Sequence, residues 1–268
     1  MKADGIRLVV SDVDGTLVTS DKRLTQATVA AVTRLRAAGI GFTIASARPP
    51  VGLRDLVATL ELDLPMGAYN GATVVGPDLA VLEEHLIPAP VARAAAERLA
   101  GEGVDIWVFA RGAWYLRDPQ GPYADLERRT LAAEPRVTDD LAGLLGEASK
   151  IVGVSADPAL LAACEGRLQD ALGEGATIHR SQPYYLDVTP PGRDKGQFVA
   201  WLSKHLGIPE ERIATFGDAA NDRPMFARSG FPVAMGNATG AVKDAARAVT
   251  ADNDSDGFAH GVEAFILP

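Results

Sequence analysis

Four acidic residues form two short clusters that could do chemistry. Asp12 and Asp14 lie one residue apart in SDVDGTL, and Asp218 and Asp222 lie at the two ends of DAAND. Carboxylates held close together repel one another unless a cation lies between them or one of them is protonated. Because oxygen ligands suit Mg²⁺, the clusters predict a magnesium site if the fold brings them together. The simpler interpretation is that each cluster is an Asp-rich turn that ends a strand.

Two further residues have the chemistry of a phosphate site. Lys195 stands in GRDKG, and Ser46 follows the apolar stretch IGFTIA. A lysine, a hydroxyl group and the N-terminus of a helix all bind phosphate oxygens. Taken singly, Ser46 could be a helix cap and Lys195 a solvated charge. Taken together with the acidic clusters, they predict a magnesium-assisted phosphate site.

The elements that must position these residues follow a strand, helix, strand pattern. Residues 6–10 are mostly apolar and run into the first acidic pair, which is typical of a central parallel strand buried on both faces. A helix capped by Thr25 leads to a second strand at 40–45, and a later strand at 212–217 stops at Asp218. In such a parallel sheet the carboxyl ends of the strands lie at one edge, where ligands bind.

The middle of the chain has a different pattern. A hairpin at 105–118 with Arg111-Gly112 as its turn, strands at 150–155 and 176–189, and helices at 91–100 and 158–172 favour an antiparallel sheet covered by helices. Pro190-Pro191-Gly192 predicts a linker, and a helix is expected at 241–248. We therefore expect an α/β protein: a Rossmann-like parallel-sheet core, 1–82 and 192–268, with an inserted α+β cap at 83–191.

Composition excludes several classes of function. The 268 residues carry a formal net charge of −9, which gives no general attraction for nucleic acid or for an anionic membrane. One cysteine, Cys164, cannot form an intrachain disulfide. The sequence contains neither a recognisable signal peptide nor an apolar stretch long enough to span a membrane, so we expect a cytoplasmic protein.

The motifs together resemble one enzyme family. DVDGTL, a strand that ends in a hydroxyl residue, the lysine of GRDKG, GDAANDRPMF and AMGNA are similar to the haloacid dehalogenase superfamily. The position of the inserted cap resembles the Cof-type sugar-phosphate phosphatases of that superfamily. The resemblance covers nearly the whole chain.

The resemblance implies a role for each site residue. It makes Asp12 the nucleophile that takes the phosphoryl group, and Asp14 the acid that protonates the leaving alcohol and then the base that activates water. It implies that Mg²⁺ is held by Asp12, the backbone carbonyl of Asp14 and Asp218, with Asp222 in the outer shell. Phosphoryl oxygens would be held by Ser46, Lys195 and Asn221.

Two positions depart from the family pattern. Ala47 replaces the usual glycine after the hydroxyl residue, and Arg193 replaces a small or apolar residue near the lysine. Arg193 could add positive potential for a second anionic group of the substrate, or it could be a solvated linker charge. Further candidates for substrate contact are Arg48, Asn70 and Asp187, whereas Tyr184 and Tyr185 fit sheet packing slightly better than sugar binding.

The predicted function is a Mg²⁺-dependent phosphatase that acts on a small phosphorylated metabolite, most plausibly a sugar phosphate. The first alternative is a phosphomutase of the same superfamily, which must shield its aspartyl phosphate from water. The second, from another class, is a protein that binds a phosphorylated metabolite without turnover. The presence of Asp12 argues against the second, because binding alone does not need a nucleophile.

Overall fold

The chain divides into two compact units in the computed structural model, which describes residues 3–268. The first unit takes in the chain up to Ser46, Arg54–Leu82 and Asp194–Pro268. The second takes in Ala47–Leu53 and Glu83–Arg193, so it includes a short segment that the sequence assigned to the core. The predicted α/β fold class is confirmed, since a parallel sheet forms one unit and a mostly antiparallel sheet forms the other.

The strands, in chain order, are β1 (Leu8–Ser11), β2 (Gly41–Ile44), β3 (Met66–Ala68), β4 (Thr73–Val75), β5 (Val81–Glu84), β6 (Asp105–Ala110), β7 (Ala113–Leu116), β8 (Arg136–Val137), β9 (Ala148–Val154), β10 (Thr177–Gln182), β11 (Tyr185–Thr189), β12 (Ile213–Gly217), β13 (Phe231–Ala234) and β14 (Ala248–Val249).

The helices are α1 (Gln26–Ala37), α2 (Arg54–Leu60), α3 (Ala89–Gly101), α4 (Ala124–Leu131), α5 (Pro158–Leu172), α6 (Lys195–Leu206), α7 (Arg223–Phe226), α8 (Gly240–Lys243) and α9 (Gly257–Gly261). Short 3₁₀ turns include Pro50–Leu53, Tyr69–Gly71, Ala142–Glu147 and Ala220–Asp222. Among the described residues no helix has the length and apolar character needed to cross a bilayer.

The sheet of the first unit has the strand order β14-β13-β12-β1-β2, and all of its pairings are parallel. β1 lies between β2 and β12, and each of its residues is fully buried, as its mostly apolar sequence predicts. Since the strands run in the same direction, the residues after β1 and β12 meet at one edge. The site residues Asp12 and Asp218 occupy that edge.

Helix α6 packs on this sheet through Phe198, Val199 and Leu202, which share an apolar core with Leu8 and Val10 of β1. Its N-cap is Asp194, whose side chain accepts a hydrogen bond from the backbone N–H of Gln197 at 2.8 Å. The cap fixes the first turn of the helix. Lys195, the first helical residue, is thereby held inside the unit rather than on its surface.

The sheet of the second unit has the strand order β10-β11-β9-β6-β7-β8 and is antiparallel except for the β7–β8 pair. One face is covered by α3 and α5, which contribute Leu99, Leu161 and Leu168 to a core with Ile151 and Val188. The Asp157 side chain caps α5 by accepting hydrogen bonds from two backbone N–H groups. This is the α+β architecture that the hairpin pattern predicts.

Two predicted elements are wrong. Residues 176–189 are two strands, β10 and β11, joined by a turn at Pro183-Tyr184, because proline cannot donate to a continuous ladder. The helix expected at 241–248 ends at Lys243, and Ala248–Val249 joins the parallel sheet beside β13 instead.

Candidate active site

The backbone at the end of β1 places Asp12 against β12. The N–H of Asp12 donates to the carbonyl of Phe216 at 2.9 Å, and the side chain is 7% exposed. The chain then turns at Gly15, whose φ of +85° is in the left-handed region. A Cβ at this glycine would lie 2.4 Å from an oxygen of Asp218, so only glycine leaves room for that carboxylate.

Lys195 lies at the centre of the cluster. Its Nζ donates to Oδ1 of Asp12 at 2.5 Å and to Oδ1 of Asp222 at 2.6 Å, and the side chain is completely buried. Burial opposes the charged lysine, but the two carboxylates outweigh burial and raise the pKa of Lys195 above its ordinary value. The lysine is therefore a fixed ammonium between two acids.

Asp222 has protein donors at both oxygens. Oδ1 accepts from Lys195, and Oδ2 accepts at 2.9 Å from the backbone N–H groups of Asp218 and Ala219. The two backbone hydrogen bonds to Asp222 hold the 218–222 loop in its conformation.

Asp218 reaches the same space from β12. It accepts from Nδ2 of Asn237 at 3.1 Å and weakly from the Thr16 hydroxyl at 3.4 Å. Asn237 also donates to the carbonyl of Gly15 at 3.0 Å, so it joins the two turns. Asn237 is not among the site residues predicted from the sequence, although it lies in the AMGNA motif after β13.

The cluster has more negative than positive charge. One ligand atom from each of Asp12, Asp218 and Asp222 lies within 4.8 Å of the others, and Lys195 is the ammonium bound among them. Burial and the charge of Asp222 raise the pKa of Asp218 to about 7. Burial also raises the pKa of Asp12 well above its usual range, more than Lys195 lowers it. The cluster thus fits a bound divalent cation, which would relieve the repulsion.

Asp14 lies beside this cluster in an ion pair. Its Oδ1 is 2.7 Å from Nζ of Lys22, and the two side chains are 17% and 24% exposed. Lys22 is not among the site residues predicted from the sequence. No motif marks it, because the contact depends on the turn between β1 and α1.

Ser46, Asn70 and Asn221 are also brought together. The carbonyl of Ser46 accepts from the N–H of Asn70 at 2.7 Å, and Oδ1 of Asn70 accepts from Nδ2 of Asn221 at 3.0 Å. Ser46 and Asn70 are 1% exposed. Asn221 Oδ1 is buried and accepts no hydrogen bond from the described residues.

The other predicted contact residues belong to the second unit. Arg48 donates to the carbonyls of Gly52 and Thr130 at 3.3 and 3.4 Å. Asp187 is fully buried and lies 2.8 Å from Nζ of Lys150. Arg193 is half-buried at the end of the unit.

The tyrosines of the second unit pack among aromatic rings. Tyr184 stacks on Tyr123 with centroids 4.2 Å apart, and Tyr185 makes an edge contact with Trp107 at 5.3 Å. The Tyr185 hydroxyl donates to Glu127 at 3.1 Å. These contacts favour packing over sugar binding.

A parallel sheet with a carboxylate cluster and a buried lysine at the carboxyl ends of its strands has its polar groups where open α/β sheets bind ligands. The chain belongs to the haloacid dehalogenase-like hydrolases, whose family model matches residues 9–262. Two predictions from the sequence are therefore confirmed: the chain belongs to this family, and it is a hydrolytic enzyme.

Individual relatives agree with this family. The chain is 28% identical over 261 residues to a putative phosphatase of Haemophilus influenzae, covering 94% of this chain and 95% of the relative. It is 32% identical over 235 residues to an HMP-PP phosphatase of Cronobacter sakazakii, with 87% and 85% covered. A solved subclass IIB sugar phosphatase superposes with a TM-score of 0.84 at 26% identity, with 96% and 98% covered. These names support a phosphatase.

Proposed function

We propose that this protein is a Mg²⁺-dependent phosphatase that hydrolyses a small phosphorylated metabolite through an aspartyl phosphate on Asp12. The observation that carries the proposal is the buried Asp12 carboxylate, fixed by Lys195 at 2.5 Å within the acidic cluster that also contains Asp218. A sugar phosphate is the proposed substrate class, because a subclass IIB sugar phosphatase is among the similar structures.

In the first half of the reaction, a carboxylate oxygen of Asp12 attacks phosphorus while the bond from phosphorus to the leaving oxygen breaks. Asp14 gives a proton to the leaving oxygen. In the second half, Asp14 takes a proton from water as the water oxygen attacks phosphorus. The bond from phosphorus to the Asp12 oxygen breaks, phosphate leaves, and the Asp12 carboxylate is restored.

Asp12, Asp218 and the backbone carbonyl of Asp14 would hold Mg²⁺, with Asp222 behind them because protein donors already occupy its oxygens. When bound, the ion neutralises the repulsion between an anionic nucleophile and an anionic phosphate. Lys195 keeps Asp12 in place. Ser46 and Asn221 are proposed to hold phosphoryl oxygens.

We also propose that the second unit, residues 83–191 in the sequence interpretation, acts as a cap that selects the substrate. Asn70 of the first unit and Arg48, Asp187 and Arg193 of the second are its candidate contacts. The cytoplasmic location stays a prediction from the sequence.

Hydrolysis of a chromogenic aryl phosphate tests the proposed function. Wild-type protein with Mg²⁺ is compared with chelator-treated protein and with Asp12→Asn, which keeps the shape of the side chain but removes the nucleophile. We expect chelation to abolish turnover and Asp12→Asn to lower kcat by about 10⁴-fold or more. Asp63→Asn, which changes an exposed carboxylate of the same unit, is the matched control and should keep wild-type turnover.

Two results would contradict the phosphatase. Tight binding of a phosphate ester by wild-type protein without turnover would favour the silent binding protein. A requirement for a bisphosphate activator would favour the phosphomutase. A panel of phosphorylated metabolites that includes sugar phosphates and HMP-PP then ranks substrates by kcat/KM.

Arg193→Ala tests the proposed contact with a second anionic group. We expect kcat/KM to fall for diphosphorylated substrates and to change less for monophosphates. An unchanged kcat/KM for every substrate in the panel would leave Arg193 as a solvated linker charge.

A further inference from the structure

Lys22 is a charged residue at the site with no assigned role. Its Nζ lies 2.7 Å from Oδ1 of Asp14, the residue proposed to contact the leaving oxygen. We propose that Lys22 binds an anionic group on the leaving side of the substrate, and that it makes this protein selective for diphosphate esters, whose leaving group is itself a phosphate. The inference rests on the proposed phosphatase activity.

Lys22 lies in a hydrogen-bonded turn, residues 19–23, from which its side chain contacts Asp14. The N–H of Thr19 donates to the carbonyl of Arg23 at 3.0 Å, and the N–H of Lys22 donates back to the carbonyl of Thr19 at 2.8 Å. Lys22 adopts a φ of +66°, a left-handed conformation that is strained for a residue with a Cβ and that the hydrogen bonds of the turn hold in place.

Residues from the end of the chain hold this turn from outside. Nδ2 of Asn253 donates to the carbonyl of Val18 at 3.0 Å. The N–H and the hydroxyl of Ser20 donate to the Asp254 carboxylate at 2.8 and 2.7 Å. Hydrogen bonds at Val18 and Ser20 thus hold the turn, and they fix the position of the Lys22 backbone.

The ammonium of Lys22 has capacity for another acceptor. It has three N–H donors, and among the described residues Asp14 is its one hydrogen-bond partner. It is 24% exposed, whereas Lys195 is completely buried and already bound to two carboxylates. Lys22 can therefore bind a group of the substrate, whereas the ammonium of Lys195 is already bound to Asp12 and Asp222.

Distance and charge identify that group. With Oδ1 of Asp14 at hydrogen-bond distance from the leaving oxygen, Nζ of Lys22 lies within about 5.5 Å of that oxygen. An anionic oxygen on the next atom of the leaving group is then within reach of the ammonium. The acidic cluster would repel a second anion at this place unless a cation faced it, and Lys22 supplies that cation.

The reaction balances as a hydrolysis of the terminal phosphate. The terminal phosphoryl group passes to Asp12 as the bond from its phosphorus to the bridging oxygen breaks, and the bridging oxygen leaves on a phosphate monoester. Water then releases inorganic phosphate from Asp12. Lys22 stabilises the negative charge of the leaving phosphate monoester.

Phenyl diphosphate and phenyl phosphate form a matched pair of probes, because only in the bound diphosphate does the leaving side already carry the negative charge of a phosphate. The readout is the kcat/KM for phenyl diphosphate divided by the kcat/KM for phenyl phosphate, from initial rates with Mg²⁺. This ratio cancels any effect that Lys22 has on both substrates through Asp14. Lys22→Gln should lower the ratio about tenfold or more, mainly through KM for the diphosphate.

Two variants control the experiment. Lys22→Arg keeps the charge and should keep the ratio within threefold of wild type. Arg23→Gln removes a cation from the same turn, but Arg23 pairs with Asp21 and is 74% exposed, so it should also leave the ratio within threefold. Thermal melts establish that each variant is folded.

The inference is overturned if Lys22→Gln keeps the wild-type ratio, or if Arg23→Gln lowers the ratio equally. Retained hydrolysis of phenyl phosphate in that experiment leaves the proposed phosphatase intact. Failure of the wild type to hydrolyse either probe would instead overturn both the phosphatase and the role of Lys22.

Discussion

Two buried lysines, one in each unit, differ in the number of carboxylates that surround them. Lys195 faces two carboxylates at 2.5 and 2.6 Å in a cluster that also contains Asp218. Lys150 faces one carboxylate, Asp187, at 2.8 Å, and also donates to the carbonyl of Ala47 at 3.2 Å. The second pair is balanced, whereas the first cluster keeps excess negative charge. Burial of a lysine does not by itself mark a site; the excess charge of its partners does.

The largest expected effect is on activity. Lys195→Met would leave Asp12 without the ammonium that holds it, so kcat should fall about 10³-fold or more on an aryl phosphate. Lys204→Met, at the exposed end of the same helix, is the control and should keep wild-type kcat. Equal activity in the two variants would contradict a catalytic role for the buried lysine.

The balanced pair should instead govern stability. Lys150→Met leaves the Asp187 charge buried without a partner, so the free energy of unfolding in urea should fall by about 3 kcal/mol. The double variant Lys150→Met/Asp187→Leu removes both charges and should recover most of that loss. A single variant as stable as wild type would show that the pair contributes nothing to the fold.

A smaller effect is expected from pH. The pKa of Asp218 is raised from 3.8 to about 7, so its contribution to the free energy of unfolding is greatest below pH 4 and falls as pH rises to about 7. In metal-free protein, this proton changes the free energy of unfolding by at most about 1.4 kcal/mol per pH unit.

Urea unfolding of metal-free wild type and Asp218→Asn at pH 5, 6, 7 and 8 checks this expectation. The stability of the wild type relative to the variant should decline from pH 5 to pH 7 and level off above it. Stabilisation of the wild type by added Mg²⁺ should increase as pH rises from 5 to 8, because protons compete with the ion for the carboxylate. Parallel curves for the two proteins would contradict the raised pKa.

Sequence patterns predicted the features that depend on local order. The apolar run before Asp12 marks a strand buried on both faces, and the alternation of strands and helices places Asp12 and Asp218 at one edge. The motif around Lys195 places it near the acids. The strand and its edge need only the period of the sequence and the handedness of the connections, whereas the place of Lys195 was predicted from its motif.

Contacts that depend on long-range register could not be predicted. Asn237 meets Gly15 across 222 positions in the sequence, and Lys150 meets Asp187 only through the pairing of β9 with β11. The Lys22 contact depends on a left-handed residue that is not glycine, and no sequence rule anticipates it. These are three-dimensional properties of the turns and sheets.

Calorimetric titration of Mg²⁺ into metal-free protein at pH 8 tests the central claim that the unbalanced cluster binds a divalent cation. Wild type should bind one ion saturably, Asp63→Asn should bind it equally well, and Asp218→Asn should bind it at least about tenfold more weakly. Absence of saturable binding in wild type, or equal affinity in Asp218→Asn, would contradict the claim.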